Sequence, residues 1–294
     1  MAPMTTTAQK HTSVEVIKGY VALTKPRIIE LLLVTTIPTM VVAANGIPGI
    51  WLMVTTLIGG TLAAGGANTF NMVYDRDIDA IMERTKKRPL VTGVMTPRAA
   101  TIFACVLELL SFALLAWRVN FLSAWLAMGA TAFYVFIYTI WLKRRSKQNI
   151  VIGGAAGAVP VLIGWAAVQN NVTWTPILLF VIIFIWTPPH FWALAVRYRD
   201  DYAAANVPMM PVVASLRRTT LEILVYSVLC GRSQCWLVPP HILDGSTHFL
   251  PRCSVECSPS TRLNCSCMLV KTKLTLMKPC VFSTSQSPTS RVSL

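Results

Sequence analysis

Asn71, Asp75 and Asp79 are spaced four residues apart where a long apolar run gives way to charge, in NTFNMVYDRDIDAIMERTKKRPLVTG (residues 68–93). On a helix they share one face, drifting by about 40° per step. Two carboxylates and an amide in a row are hard oxygen donors. They suit Mg2+, which takes one or two carboxylates from a protein and completes its shell with phosphate and water. Arg84, Lys86, Lys87 and Arg88 follow at once, and such cations suit the phosphate oxygens themselves. The chemistry expected here is a Mg2+–diphosphate site at the mouth of a membrane helix. A solvated helix end with charge pairs would explain the Arg and Lys residues equally well. It explains the carboxylates poorly, because near bilayer depth they are expensive.

A second charged stretch is RYRDDYAAANVPMMPVV, residues 197–213. Asp200 and Asp201 arrive at the end of an apolar helix, just as Asp75 and Asp79 do. Arg197, one turn earlier, can pair with either carboxylate or hold a phosphate; a capped, solvated helix end is the competing reading. His190, in PPHFW, stands alone on an apolar helix. A packed, hydrogen-bonded role and a ligand role are both open to it.

These residues need an apolar frame to position them, and composition supplies one. Of 294 residues, 54% are hydrophobic and 13% charged, and the mean hydropathy is +0.57. A soluble domain would carry about 25% charged residues. Several runs reach the roughly 20 residues needed to cross a bilayer. The fold class expected is therefore all-α, a polytopic transmembrane helical bundle. The net charge of +14 does not indicate nucleic acid, since the basic residues occupy short loops between apolar runs.

Six spans are expected, over residues 28–44, 51–74, 99–117, 123–142, 150–168 and 175–196. The second contains GGTLAAGGANTF, dense in residues that let membrane helices approach closely, so it is expected at the centre of the bundle. Pro160 in the fifth implies a kink or freed carbonyls. The aromatics of the fourth, from Trp125 to Trp141, suit an interfacial belt and packing, or the lining of a lipidic tunnel. Counting spans puts the N-terminus and the loops after the second, fourth and sixth on one side, and these hold most of the Lys and Arg. That side is expected to be cytoplasmic, which places both charged stretches on one face. The first 20 residues show no apolar h-region or cleavage site, so no signal peptide is expected. The expected home is a bacterial cell inner membrane, multi-pass with the N-terminus cytoplasmic; a mitochondrial inner membrane comes second.

The character of the chain changes after Leu229. Residues 230–294 are rich in Cys, Ser and Pro and contain no run long enough to span. We read them as an aberrant tail appended to a membrane domain over 1–229, either disordered or the product of a shifted reading frame. Cys253, Cys257, Cys265 and Cys267 resemble a metal knuckle in spacing, but no matching His pattern accompanies them.

LTKPRIIELLL, NTFNMVYDRDIDAIMERTKKRPLVTG, NIVIGGAAGAVPVLIGWAAV and WTPPHFWALAVRYRDDYAAANVPMMPVV together resemble the UbiA-type intramembrane prenyltransferases. Within these, they are most similar to the branch that farnesylates protohaem IX to make haem O. The similarity runs over about residues 18 to 225. It implies a ring of helices around a central cavity, about nine spans in the family against six and part of a seventh here. It implies Mg2+ as cofactor, held by Asn71, Asp75 and Asp79 on one side and by Asp201, or its neighbour Asp200, on the other. Arg27, Arg84, Arg88, Lys147 and Arg197 would then meet the remaining diphosphate oxygens, and His190 would lie near the haem. The partners implied are farnesyl diphosphate, haem B and the lipid bilayer, with haem A synthase or oxidase assembly proteins beside them. A prenyltransferase acting on a quinone precursor is the nearest rival. A membrane transporter is less suitable, because it would gather its ionisable residues near the midplane.

Overall fold

Lys25 adopts a left-handed conformation, φ 54°, and that single residue joins the first two helices. Before it, α1 (Ser13–Thr24) is started by a capping box between Thr12 and Glu15. After it, α2 (Pro26–Ala44) opens on Pro26, whose fixed φ and missing N–H fit the first helical position. The computed structural model describes residues 12–237. The four-cysteine cluster and nearly all of the expected tail therefore lie outside the described residues.

The described chain is helical throughout its regular elements. Five of its helices are long and apolar enough to cross a membrane: α3 (Ile50–Tyr74), α5 (Pro97–Arg118), α6 with its continuation (Phe121–Leu142), α7 (Asn149–Gln169) and α8 (Trp174–Arg197). The expected first span falls on α2, where the apolar part is the shorter stretch Val34–Ala44; Arg27 and Glu30 occupy its first turns. Short helices α4 (Arg76–Ile81), α9 (Arg199–Ala204) and α10 (Met210–Val213) lie between the long ones. The last, α11 (Leu216–Leu237), packs on α8 and runs unbroken past residue 229.

Local sequence explains where the spans begin. Thr96 accepts the Ala99 N–H ahead of Pro97 in α5, and Asn120 accepts the Ser123 N–H to start α6 after a two-residue turn. Pro160 is accommodated inside α7. Residues 133–142 continue α6 as a π-helix, a rare widened form that is frequent at functional sites.

α3 is the hub, touching α1, α2, α5, α6, the π-helix and α7. Its glycines make this possible. A Cβ on Gly59 would lie 2.5 Å from the Leu115 side chain of α5, and one on Gly66 would lie 2.6 Å from Glu108 Oε1. Glu108 is buried and accepts a hydrogen bond from Thr131 Oγ1 at 3.0 Å, tying α5 to α6 beside α3. Ser111 Oγ donates to the Gly59 carbonyl at 2.7 Å. A central α3 delivers its C-terminal end, and the residues after it, to the middle of one end of the bundle.

Candidate functional site

α3 ends at Tyr74, yet the helical ladder continues through the break. Asp75 N–H donates to the Asn71 carbonyl and Asp79 N–H to the Asp75 carbonyl, both at 2.9 Å. Asn71, Asp75 and Asp79 therefore keep the four-residue register that puts them on one face. All three are buried, Asp75 completely. Asn71 Nδ2 donates to Asp75 Oδ2 at 2.6 Å.

Four cations close on this row from three different segments. Lys25, from the α1–α2 joint, donates from Nζ to Asn71 Oδ1 at 2.8 Å. Arg88 Nη1 reaches Asp79 Oδ2 at 2.5 Å. It is carried there by a loop of successive tight turns, and Thr85 Oγ1 pins that loop to the Asp79 carbonyl at 3.0 Å. Lys143, one residue past the π-helix, pairs with Asp75 Oδ2. Arg144 lies 3.8 Å from Asp75 Oδ1 and forks onto both oxygens of Asp77 at 2.6 and 2.7 Å. Its bonds hold the Asp77 carboxyl below the usual carboxylate range.

The charge here is unbalanced. Burial, followed by the nearby Arg88 and Lys143, pulls the Lys25 amine down to about 7. A further anion close by would favour its charged form. Asp75 Oδ1, meanwhile, is buried without a hydrogen-bond partner. An acceptor in that state suits a cation. One orphaned carboxylate oxygen and one crowded ammonium side by side fit an entering salt of a divalent metal with a polyanion.

The donor set fits Mg2+ as well. Among the described residues, no group of three or more His, Cys, Asp or Glu side chains gathers into a metal cage. The row offers two carboxylates and an amide oxygen, which leaves positions for phosphate and water in an octahedral shell.

The second charged stretch forms its own wall. Asp201 Oδ2 accepts the Arg84 N–H at 3.4 Å. The Arg84 guanidinium lies 5.3 Å from the Tyr198 ring centre, and that of Arg197 lies 5.7 Å from it. Glu83, Arg84, Arg197, Tyr198, Asp200 and Asp201 line a cleft of about 550 Å3. Burial raises the Tyr202 hydroxyl above its ordinary value and keeps it neutral, 3.5 Å from Arg84 Nη2. The two charged regions are fastened to each other by an apolar cluster. Ile78 and Met82 from the first pack with Trp192, Ala205, Val207, Met209 and Met210 around the second.

The expected residues thus sort by place. Asn71, Asp75 and Asp79 form the buried row, with Arg88 half-buried against Asp79; Arg84, Arg197, Asp200 and Asp201 line the cleft. Arg27 and Lys147 are exposed. His190 is exposed on α8 and stacks on Trp186, ring centres 4.4 Å apart. Lys25, Lys143 and Arg144 were not singled out from sequence. Their signal was present, in that each is the first or second cation beyond an apolar segment.

Comparisons with known proteins bear on the family and the fold. The model of the UbiA prenyltransferase family matches residues 32–250. The protoheme IX farnesyltransferase of Clavibacter sepedonicus is 56% identical over 222 residues, covering 76% of this chain and 72% of that protein. Protoheme IX farnesyltransferase 1 of Saccharopolyspora erythraea is 56% identical over 224 residues, with the same shares. Among solved structures, a UbiA homolog from Archaeoglobus fulgidus bound to GPP and Mg2+ has a TM-score of 0.63 at 18% identity, over 92% of this chain and 91% of that one. A digeranylgeranylglyceryl phosphate synthase has a TM-score of 0.65 at 16% identity, over 90% and 88%. These two carry the fold alone; the family rests on the sequence matches. A helical bundle with an Asn/Asp row at the end of its central helix, matched by the family model over most of its length, belongs to the UbiA prenyltransferase family.

Proposed function

We propose that this chain transfers the farnesyl group of farnesyl diphosphate to a vinyl group of protohaem IX, making haem O. The observation that carries this reading is the 56% identity to protoheme IX farnesyltransferases over 222 residues. The charge balance of the buried row supports it.

Asn71, Asp75 and Asp79 would hold Mg2+ through their oxygens, with Asp201 or Asp200 contributing from the cleft. Mg2+, when bound, neutralises charge gathering on the departing diphosphate. Lys25, Arg88 and Lys143, which meet the row, would donate to the diphosphate oxygens, since donors aimed at developing charge stabilise it most effectively. Arg84 and Arg197 in the cleft, with Arg27 and Lys147 exposed, draw the anion in. The C–O bond of the allylic diphosphate ionises, and the terminal vinyl carbon bonds to the farnesyl C1. Water then adds to the carbocation left on the haem substituent and loses a proton, leaving the hydroxyethylfarnesyl group. No strong base is needed for the carbon–carbon bond. The apolar bundle keeps water from the farnesyl cation until that bond is made. His190, with Trp186 beneath it, is a candidate for contact with the haem.

We place the protein in a cell inner membrane with its N-terminus cytoplasmic, because the basic loops share the end of the bundle that carries both charged stretches. Haem extracted from membranes expressing this chain, separated chromatographically beside an Asp75→Asn control, tests the function. Haem O that depends on Asp75 supports it. A prenylated quinone precursor with no haem O would move the chain to the quinone branch.

A further inference from the structure

Thr139 lies outside the Asn/Asp row, yet its side chain decides which way Asn71 faces. It is fully buried within the π-helix. Its hydroxyl donates to the Tyr134 carbonyl, five residues back, at 2.9 Å. With its proton committed there, the oxygen can only accept on its other side, and it does so from Asn71 Nδ2 at 3.2 Å.

An asparagine amide has two faces of similar shape and opposite chemistry, and its partners alone fix the orientation. Here three partners agree. Thr139 Oγ1 and Asp75 Oδ2 face the NH2 group, and the Lys25 ammonium faces Oδ1. Two of the three are not permanent. An incoming diphosphate would draw Lys25 toward it, and a metal on Asp75 Oδ1, which carries no hydrogen bond, would compete with the bonds that Asp75 Oδ2 now accepts. Thr139 is neutral and held by backbone, so neither event disturbs it.

We infer that Thr139 is a positioning residue that locks the Asn71 carbonyl oxygen toward the metal when the site loads, with the π-helix serving to bring its hydroxyl there. This rests on the reading of Asn71 and Asp75 as metal ligands. An outer partner of this kind contributes about 10- to 100-fold to metal affinity. The π-helix has a matching reason to exist at this place, since the Tyr134 carbonyl that takes the hydroxyl proton lies five residues back.

The test is Mn2+ binding by the purified full-length protein in detergent, read as loss of the free-ion EPR signal, for wild type and for Thr139→Val, Thr139→Ser and Asp75→Asn. Thr139→Val is expected to weaken Mn2+ binding about 10-fold and to raise the Mg2+ concentration needed for haem O formation in parallel, leaving KM for haem unchanged. Thr139→Ser restores binding to within about 2-fold, because it keeps the hydroxyl. If valine disturbs folding, judged by gel filtration, Thr139→Ala removes the same group. Unchanged Mn2+ affinity in Thr139→Val while Asp75→Asn loses it would overturn the inference and leave the site reading standing. Equal losses in Thr139→Val and Thr139→Ser would also overturn it. If Asp75→Asn binds as wild type does, or wild type binds no Mn2+, the site reading itself is wrong and the inference falls with it.

Discussion

Lys25 Nζ donates to Asn71 Oδ1 at 2.8 Å, so the joint between α1 and α2 is tied directly to the first member of the Asn/Asp row. The amine is held near pH 7 by burial and by the cations around it. At pH 8 it is mostly neutral, and an arriving diphosphate, being anionic, pulls its pKa back up. Pyrophosphate binding at pH 8 should therefore take up about one proton. Calorimetry in two buffers of different ionisation enthalpy measures this, and Lys25→Met should abolish it. The same shift sets a stability window. Because the folded-state value is lowered from 10.5 to about 7, the unfolded chain binds more protons between those limits, and stability rises with pH across them. Below pH 7 the full penalty applies. The melting temperature of wild type should climb from pH 7 to 9.5 more steeply than that of Lys25→Met.

Asp75→Asn and Asp79→Asn should each lower haem O formation on the order of 10²-fold or more, with haem B binding retained. Asp77→Asn should behave differently. Asp77 is exposed and engaged by Arg144 on the outside of the row, so its loss should change the rate by no more than about 3-fold, in line with a surface pair. Chromatographic assay of haem O across the three variants checks the contrast.

Chelation should stop turnover, and Mg2+ or Mn2+ should restart it, because the row leaves most of the coordination shell to water and phosphate. A preparation exhaustively dialysed against EDTA that still makes haem O would show that the four cations suffice.

Packing around α3 makes a prediction independent of chemistry. Gly66→Ala forces a methyl group to 2.6 Å from Glu108 Oε1, whereas the space beside Gly60 is open. The first should destabilise the protein by about 1–3 kcal/mol and the second should not. Thermal denaturation in detergent separates them.

Much of this was legible in the sequence. Apolar run lengths marked the helices, and Gly and Ala density marked α3 as central, because in lipid these features act locally. The four-residue spacing of Asn71, Asp75 and Asp79 survived intact, even across the break at Asp75. The partners of that row were a different matter. Lys143 and Lys147 sit in one basic loop, and only the packing of the π-helix against α3 decides that Lys143 reaches Asp75 while Lys147 stays exposed. Thr139 carried no signal at all, since an apolar helix with one threonine reads as ordinary. Asp200 and Asp201 were adjacent in sequence and equivalent there. In the fold, Asp201 meets the Arg84 N–H and Asp200 is exposed beside it.

The stretch from Phe133 to Leu142 carries a wider turn than its neighbours. Wound at 3.6 residues per turn instead, the same ten residues would turn everything beyond them to a different face. Lys143 would then leave the face that meets Asp75, although no functional residue had been replaced. The winding between Tyr134 and Lys143 thus matters to the candidate site as much as residue identity does, because it sets which face carries Lys143 to Asp75.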